Sequence, residues 1–518
     1  MSVFALRPRG YNAASCFHVG VAILARGGPT TVRCLADFLE SLDEADQLVR
    51  ISVEVDPIEE IAAITREVAG CDGPAVLFEK VRGHRLAIVS NLLGSETRVC
   101  QALSVDAVTT LQERMASLWQ PTPSQGWREK IRGGPRSDVI SSAQPRTVRS
   151  APCQQIVRLG SDVDLSQWPW VTMSVAETGP SLAGALVYTV DPDSGVRHVT
   201  LCDLQMVGSR RLMPTWHEFT PAACDLRLRA ARGEVMPVAI MLGGEPSHTA
   251  AAATILDNDW DLTGWTAHLR QQPLELVRCR SHDLEVPADA EMVIEGHVDP
   301  TFAHDQPCTT MAPTGYAREL IGHPVLEVSA ITHRNGPILP VMIGGTPRQD
   351  EYQVLGRVAT RMFLPLLQRT LPEVVDIVLP FGGAARGFAA VSMRKSYAMH
   401  PRNVAGGIWS VPWLLGLKML VLLDHDIDVH DERAVLHAVA TQVDPRRDTW
   451  VEDAVSHPLN HAAPCPPLGS RIAVDATSKS AAEHGRAWPE RARLSPEMMD
   501  RLRTKWAEYG LPGNLSPP

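Results

Sequence analysis

The segment Leu274–Gly296 constrains the fold of this chain most strongly, because it has the pattern of two strands joined by a short polar turn. Apolar side chains alternate with polar ones in short runs at residues 274–277, 284–287 and 292–294. Alternation with a period of two is typical of strands, and the polar residues between the first two runs are typical of a turn. The segment therefore predicts β-structure in the middle of the chain.

The composition predicts a globular protein of two or three domains. The chain has 518 residues, of which 44% are hydrophobic, and single cores stop growing at about 250 to 300 residues. The formal charge is -10 and there is no run of Lys or Arg, which argues against a nucleic-acid surface because such a surface needs a concentrated basic face. No apolar run approaches the length of about 18 residues that a membrane-spanning helix needs.

The ten cysteines are scattered singly, without a C-x-x-C pair. This distribution indicates neither a zinc knuckle nor a disulfide framework. Reduced thiols are typical of a cytoplasmic protein, and we expect that location.

The first part of the chain has an extension followed by an α/β pattern. Residues 1–30 contain three Arg and no acidic residue, which is similar to a transit peptide, but we expect a disordered extension or an N-terminus assigned too far upstream. Apolar residues at helical spacing predict helices from Leu35 and after Pro57. Strands are predicted at Ala75–Glu79 and Leu86–Ser90.

The rest of the chain separates into a linker, a strand-rich region and an alternating region. Residues 120–152 are rich in Pro, Ser, Gly, Gln and Arg, which predicts a linker. Strands dominate Leu182–Leu242, with a helix predicted at Pro221–Gly233. The last third alternates strands with helices, including an amphipathic helix at Leu355–Leu371.

The segment at 274–296 closely resembles the pattern E-(L/V)-V-K-C…D-L-x-V-P-A-x-A-E-x-V-x-E-G of the UbiD family of reversible decarboxylases. Runs at 35–57, 374–380 and 418–431 are also similar to segments of that family. The resemblance implies an α/β multi-domain fold with an N-terminal α/β domain, a central split β-barrel of flavin-reductase-like type and a C-terminal α/β domain. After the extension at 1–30, we expect these domains at 31–150, 151–322 and 323–518.

The resemblance also implies a function. UbiD-family enzymes decarboxylate aromatic or α,β-unsaturated carboxylic acids with prenylated FMN, which a separate flavin prenyltransferase makes, and with a divalent metal such as Mn²⁺. The cofactor carries the difficult chemistry, while the protein supplies placement and charge. The C-terminal domain usually makes the oligomer contact, so a homodimer or homohexamer is expected.

The first set of site residues that the resemblance implies lies on one strand. The family pattern N-(V/W)-x-(I/L)-x-R-x-Q, with a metal-binding Asn and an Arg facing the substrate carboxylate, corresponds to the segment His198–Gln205. His198 keeps a metal ligand, and Leu201, Cys202 and Asp203 follow on the cofactor-binding strand. Asp203 replaces the Arg. At about 4 Å and an effective dielectric near 20, this change turns an attraction of roughly 4 kcal/mol for a carboxylate into a repulsion.

The second set would hold the cofactor and the metal. Trp216 corresponds to a family Trp beside the flavin, with Thr215 and His217 as its neighbours, and His217 is the candidate second metal ligand. The family's metal-binding Glu falls near Leu262, where Asp259 and Asp261 are the nearest acids. Lys395 corresponds to a basic residue that pairs with the flavin phosphate.

The third set is the family's acid pair in E-G-P-(F/Y)-G-(E/D)-x-T-G-Y, whose second acid returns the proton. Residues 314–316 are Thr-Gly-Tyr and fix the register, so Met311, Ala312 or Pro313 occupies the second acidic position. None of these side chains transfers a proton. Asp305 is the candidate for the first acid, after a shift in register.

Three interpretations remain open. An active enzyme could use Asp203 as the acid, because a desolvated carboxyl has a raised pKa. A non-catalytic relative could keep the fold as a partner or binding subunit. A different, metal-assisted reaction could use His198, Asp203 and His217, although residues five apart on a straight strand face opposite sides.

Overall fold

The structure is a computed structural model. It describes residues 32–118, 145–253, 261–345, 349–380, 387–464, 467–490, 492 and 494–510. The expected extension at 1–30 and most of the linker predicted at 120–152 lie outside these residues. No helix in the described parts of the chain is both long enough and apolar enough to span a bilayer.

Residues 32–118 form a small sheet with helices on both faces. The elements are α1 (Leu35–Glu44), β1 (Leu48–Val55), α2 (Glu60–Ala69), β2 (Ala75–Val81), β3 (Ile88–Ser90), α3 (Glu96–Ala102) and α4 (Val108–Ser117). Helices α1, α3 and α4 pack on one face through residues such as Phe38 and Leu111, and α2 packs on the other through Ile61. The helices predicted from Leu35 and after Pro57 are confirmed.

The central part is rich in strands, and its described residues include three α-helices. Its elements are β4 (Arg146–Val148), β5 (Ile156–Leu159), β6 (Ser181–Val190), β7 (Arg197–Gly208), β8 (Arg211–Pro214), α5 (Pro221–Arg232), β9 (Met236–Leu242), α6 (Ser247–Ala252), α7 (Leu262–Arg270), β10 (Glu275–Arg278), β11 (Glu285–Pro287), β12 (Met292–His304), β13 (Cys308–Met311), β14 (Ala317–Leu320), β15 (His323–His333) and β16 (Leu339–Val341). The predicted strand-turn-strand is confirmed, because β10 pairs antiparallel with β11.

Six of these strands close into an antiparallel barrel. Their order is β12-β9-β6-β7-β8-β15, and the pairing of β12 with β15 closes the ring. The barrel interior is apolar, with residues such as Leu204, Ile240, Ile294 and Val328 in one buried cluster. Because β15 is needed for closure, the barrel continues beyond residue 322. After it, β16 pairs in parallel with β3 and joins the first sheet.

The C-terminal part is a five-stranded sheet with helices on both faces. Its elements are α8 (Glu351–Met362), α9 (Leu364–Thr370), β17 (Val374–Val378), β18 (Phe388–Met393), α10 (His400–Trp409), β19 (Met419–Asp424), α11 (Glu432–Gln442), β20 (Thr449–Val455), β21 (Leu468–Ala476), α12 (Ala481–His484) and α13 (Pro496–Lys505). The strand order is β17-β18-β19-β21-β20. Helices α10 and α11 pack on opposite faces of this sheet through Ile408 and Ala438.

The helix predicted at Leu355–Leu371 is two helices in the structure. Helix α8 ends at Met362, and α9 begins at Leu364 with Pro365 in its first turn. Proline lacks the amide that an uninterrupted helix would use, so it favours a new helix start here. Helix α8 packs against the first part of the chain through Leu355 and Val358.

Candidate active site

Strand β7 presents its predicted site residues on two different faces. Cys202 and Leu204 belong to the barrel-interior cluster, whereas Val199 and Leu201 pack against clusters outside the barrel. Asp203 shares the outer face, because side chains alternate along a strand. His198 shares the inner face with Cys202. The structure therefore separates His198 from Asp203, as the spacing of five residues predicts.

Asp203 is a buried carboxyl with one oxygen engaged. The backbone amide of Gly184 donates to its Oδ1 at 2.8 Å, and the hydroxyl of Tyr352 donates to the same atom at 2.7 Å. Within the described residues, no partner reaches Oδ2. Burial raises the pKa of Asp203 above its ordinary value, although these two hydrogen bonds and the charge of Arg318 act in the opposite direction. Burial therefore acts against the ionised form of Asp203, and Oδ2 is the oxygen without a partner in the described residues.

Gly184 brings its amide to Asp203 through an irregularity in β6. The register between β6 and β7 shifts between Leu182 and Ala185, and Gly184 has a φ of 79°. A Cβ at this position would lie 2.5 Å from Cγ of Met342. Only glycine suits both the left-handed backbone and this close approach, so the bulge is specified by residue type.

Arg318 supplies a positive charge close to Asp203. Its Nη2 donates to the carbonyl of Thr215 at 2.7 Å, and the amide of Thr215 donates to the carbonyl of Asp203 at 2.9 Å. The Nε of Arg318 is buried without a hydrogen-bond partner in the described part of the protein. Burial lowers the pKa of Arg318, and the charge of Asp203 opposes that shift. The two side chains thus interact electrostatically.

Glu177 is a second carboxyl in this region, next to the loop that lacks the expected acid. It accepts from the amide of Met173 at 2.5 Å and from the amide of Met311 at 3.2 Å. Burial raises its pKa, and the charge of Asp203 adds to the effect. Because Glu177 uses both oxygens to bind backbone amides, it anchors the loop and is less suited than Asp203 to release a proton.

The two predicted metal ligands lie in different surroundings. His198 is buried, and its Nδ1 lies 2.9 Å from Oδ2 of Asp225, which also accepts from the hydroxyl of Thr189. The ring of His217 lies against the ring of His457, with 5.5 Å between their centroids. Among the described residues, neither His198 nor His217 lies in a cluster with two further metal-ligating side chains.

Cys279, His282 and Glu295 are the side chains in the described structure that lie close enough together to hold a metal ion. Glu295 already accepts hydrogen bonds from the amides of Arg280 and Ser281 and from the Ser281 hydroxyl. Burial raises the pKa of the Cys279 thiol, which disfavours the thiolate that binds a metal. The group therefore suits a turn anchor better than a metal site.

The remaining predicted cofactor residues near β7 are mostly buried. Trp216 is buried in the barrel core, and Thr215 provides the backbone contacts described above. Cys202 is also buried, and burial raises the pKa of its thiol to about 12. A thiol with this pKa stays protonated near neutral pH, so Cys202 is not an activated nucleophile.

Lys395 is surrounded by acidic groups. Its Nζ lies 2.9 Å from Oε1 of Glu483 and 3.9 Å from Oδ2 of Asp475, and it donates to the carbonyl of Ser478 at 3.1 Å. Burial acts to raise the pKa of Glu483, but the hydrogen bonds from Lys395 and Ser480 lower it to about 2. The charge of Lys395 is therefore balanced within the protein before any phosphate binds.

The other acids proposed from the sequence lie outside this arrangement. Asp305 is exposed in the turn between β12 and β13, in contact with Gln306. Asp261 caps α7 by accepting from the amide of Thr263, and it pairs with Arg197 at 2.8 Å. Asp259 lies outside the described residues. Asp203 and Glu177 are therefore the carboxyls that the described structure brings together.

Comparison with known families decides the classification. Three family models match consecutive parts of the chain: the N-terminal domain of 3-octaprenyl-4-hydroxybenzoate carboxy-lyase at residues 39–118, its Rift-related domain at 146–347 and its C-terminal domain at 353–476. The chain belongs to the UbiD family. The α/β multi-domain fold and the closed six-stranded barrel also match UbiD-class structures.

Solved structures of UbiD-class proteins cover nearly the whole chain. HmfF from Pelotomaculum thermopropionicum in complex with FMN is 27% identical with a TM-score of 0.74, and the match covers 92% of this chain and 99% of that one. An evolved dimeric form of HmfF in complex with prenylated FMN is 27% identical with a TM-score of 0.73, covering 92% and 100%. Vanillic acid decarboxylase from Sedimentibacter hydroxybenzoicus, in its closed form, is 24% identical with a TM-score of 0.77, covering 93% and 99%.

Some of the described residues suit a UbiD-type cofactor site better than others. The free Oδ2 of Asp203 and the buried, unpartnered Nε of Arg318 fit a polar ligand beside β7. Lys395 is a fitting phosphate partner only if it leaves Glu483. The divalent metal stays a prediction.

Three residues of the site were missed in the sequence. Tyr352, Arg318 and Glu177 lie outside the family motifs and reach Asp203 or its loop only through the tertiary fold. For Arg318 a signal exists, because it lies two residues after the motif Thr-Gly-Tyr and a cation is required somewhere once Asp203 has replaced the Arg.

Proposed function

We propose that this chain is a carboxy-lyase that uses prenylated FMN to decarboxylate an aromatic or α,β-unsaturated carboxylic acid. The three family models and the flavin complexes of HmfF, at 27% identity over 92% of the chain, support this proposal. A flavin prenyltransferase would supply the cofactor. A homodimer or homohexamer remains our expectation, and one HmfF structure is described as dimeric.

The proposal depends most on the burial and hydrogen bonding of the Asp203 carboxyl. A decarboxylase of this class needs a proton donor, and the loop at 311–313 contains none. Asp203 is buried, its pKa is raised by that burial, and its Oδ2 has no partner in the described residues. A buried carboxyl with a raised pKa and an unengaged oxygen is suited to act as a general acid.

The residues act as follows in the proposed reaction. When bound, prenylated FMN supplies the electron sink for the bond that breaks. The bond between the carboxylate carbon and its neighbour breaks, carbon dioxide leaves, and the proton on Oδ2 of Asp203 is transferred to the carbon that held the carboxylate. Tyr352 and the amide of Gly184 hold Oδ1, so they orient the carboxyl and stabilise the carboxylate that remains.

We propose that the flavin lies on the outer face of β7, against Leu201, Asp203, Thr215 and His217. Cys202 and Trp216, which were also expected to bind it, belong to the barrel-interior cluster. Lys395 would meet the flavin phosphate after releasing Glu483. His198 and His217 remain the proposed metal ligands, although the described structure places them in separate surroundings.

The test is co-expression with a flavin prenyltransferase, followed by absorbance spectroscopy of the purified protein. We expect bound flavin and the release of carbon dioxide from at least one unsaturated acid in a panel. In D₂O, the product should carry deuterium at the carbon that lost the carboxylate. A purified protein without bound flavin would contradict the proposal.

A second candidate is a non-catalytic UbiD-family subunit. One observation favours it: the charge of Lys395, the proposed phosphate partner, is already balanced by Glu483. Such a subunit should bind an active homologue in a pull-down and lack flavin, whereas self-assembly with turnover would exclude it.

A further inference from the structure

Replacement of the family Arg by Asp203 removes the cation that would face the substrate carboxylate. An ionised Asp203 would also repel that carboxylate. A carboxylate substrate therefore requires a different cation at the site, and the charged side chain that acts on Asp203 in the structure is Arg318.

Arg318 comes from strand β14, far from Asp203 in sequence, and the structure fixes it through Thr215. Arg318 donates from Nη2 to the carbonyl of Thr215 at 2.7 Å, and the amide of Thr215 donates to the carbonyl of Asp203 at 2.9 Å. Thr215 therefore connects Arg318 to Asp203. This arrangement fixes one end of the guanidinium. Among the described residues, the charges that act on Arg318 are those of the Asp203 carboxyl and, to a smaller extent, the Cys202 thiol.

One donor of the guanidinium, Nε, is buried without a partner within the described chain. Leaving a buried charged donor unpaired is costly. Nothing in the described structure forms an ion pair with Arg318, so its charge is uncompensated by contact. A planar anion with two oxygens is the ligand that a guanidinium fork binds best.

We propose that Arg318 binds the carboxylate of the substrate, replacing from strand β14 the Arg that strand β7 has lost. Asp203, when protonated, is a hydrogen-bond donor and joins Arg318 in holding the anion. This inference rests on the proposed function and specifies its substrate class: acids that present an unprotected carboxylate to Arg318.

The charge balance of the complex supports this assignment. With Asp203 neutral, Arg318 contributes one positive charge and the substrate one negative charge, so the buried site becomes neutral. With Asp203 ionised, the same site would hold two negative charges and one positive charge. The other titratable groups near this site are Tyr352 from α8, Glu177 from the loop before β6, Cys202 on the inner face of β7 and His323 at the start of β15. Burial and the charge of Arg318 lower the pKa of His323, which disfavours its charged form. Arg66 from α2 is a further cation, but it interacts with Glu177 and donates to the carbonyls of Met173 and Gly344, whereas Arg318 is the cation that acts on Asp203.

The experiment measures ligand binding rather than turnover. Benzoate, trans-cinnamate and crotonate are titrated by calorimetry into the protein as purified, with and without bound flavin, and cinnamamide serves as the uncharged analogue. The variants are Arg318→Gln, Arg318→Lys and, as a matched control, Arg210→Gln. Arg210 is an exposed arginine that also donates to a backbone carbonyl, that of Val328 at 3.4 Å.

We expect at least one carboxylate to bind the unchanged protein and Arg318→Gln to weaken it by about 30-fold or more, since truncating one partner of a buried charge pair costs about 2–5 kcal/mol. The affinity of Arg318→Lys for carboxylates should lie between these two, because the ammonium keeps the positive charge but cannot form two parallel hydrogen bonds. Cinnamamide should bind weakly to every variant, and Arg210→Gln should bind carboxylates normally.

Two results would overturn the assignment: no carboxylate in the panel binds the folded protein, or Arg318→Gln binds as tightly as the unchanged protein. Circular dichroism and thermal melting show whether each variant is folded. If Arg318→Gln does not fold, the carboxylate affinity of Arg318→Lys is compared with that of the unchanged protein instead. If the protein never retains flavin but still binds carboxylates through Arg318, the proposed function fails and this inference stands.

Discussion

Replacing Asp203 by Asn should lower turnover and raise stability near pH 8. The Asn carbonyl can accept the same hydrogen bonds from Gly184 and Tyr352, at 2.8 and 2.7 Å, so the shape of the site is retained. The proton on Oδ2 is lost. General acid catalysis by a positioned side chain contributes about 10²–10⁴-fold, so turnover should fall by about that factor while flavin remains bound.

The stability change follows from the sign of the pKa shift. Burial raises the pKa of Asp203 in the folded protein, so the folded state holds this proton more tightly than the unfolded state does. Its stabilising effect is complete below the unfolded pKa, of about 3.9, and is lost as the pH rises through the folded pKa. Each unit of the shift corresponds to about 1.4 kcal/mol of lost stability at higher pH. Asn carries no such penalty.

The assay combines product formation, flavin absorbance and thermal melting at pH 5 and pH 8. Asp203→Asn should melt at a higher temperature than the unchanged protein at pH 8, and this advantage should shrink at pH 5. Glu177→Gln is the comparison, since Glu177 also has a raised pKa but binds backbone amides with both oxygens. Full turnover in flavin-loaded Asp203→Asn, with turnover lost in folded Glu177→Gln, would refute Asp203 as the acid.

Three further changes test other parts of the site. Gly184→Ala should destabilise the protein by about 1–3 kcal/mol in urea unfolding, because the new Cβ would meet Met342 at 2.5 Å; Gly195→Ala, also at positive φ but with open space around it, is the control for backbone strain alone. Glu483→Gln should free Lys395 and tighten FMN binding about tenfold, or about 1.4 kcal/mol, in a fluorescence titration; unchanged affinity would mean that Lys395 does not meet the phosphate. Burial raises the pKa of Glu351 to about 7 from 4.5, so stability should fall by about 3 kcal/mol as the pH rises through that range, and Glu351→Gln should remove this component of the pH dependence.

The sequence predicted the scaffold well because its signals are local. The strand pair in 274–296 is confirmed by the pairing of β10 with β11, and the helix at Pro221–Gly233 is observed as α5, Pro221–Arg232. In each case the periodicity of a short segment matches the face that the fold buries. The exception is Leu355–Leu371, where Pro365 divides the predicted helix in two.

The site was predicted less completely because it depends on contacts between distant segments. Alternation along β7 correctly indicated that His198 and Asp203 face apart. Sequence spacing gave no information about Tyr352, which is 149 residues from its partner, or about Asp225, which engages His198. Nor did the good local match at Lys395 reveal that Glu483 would already neutralise it.

The acidity of Asp203 depends on two separate parts of the chain, because Tyr352 donates a hydrogen bond to it from outside the barrel. The donor lies at the start of a helix that packs on the N-terminal helices, and the acceptor lies on the barrel. A fragment that stops before residue 350 would retain every barrel strand yet lose this donor. The carboxyl of Asp203 would also lose the cover of that helix, and burial is the main cause of its raised pKa. A barrel transplanted alone into another scaffold should therefore not reproduce the acidity of Asp203.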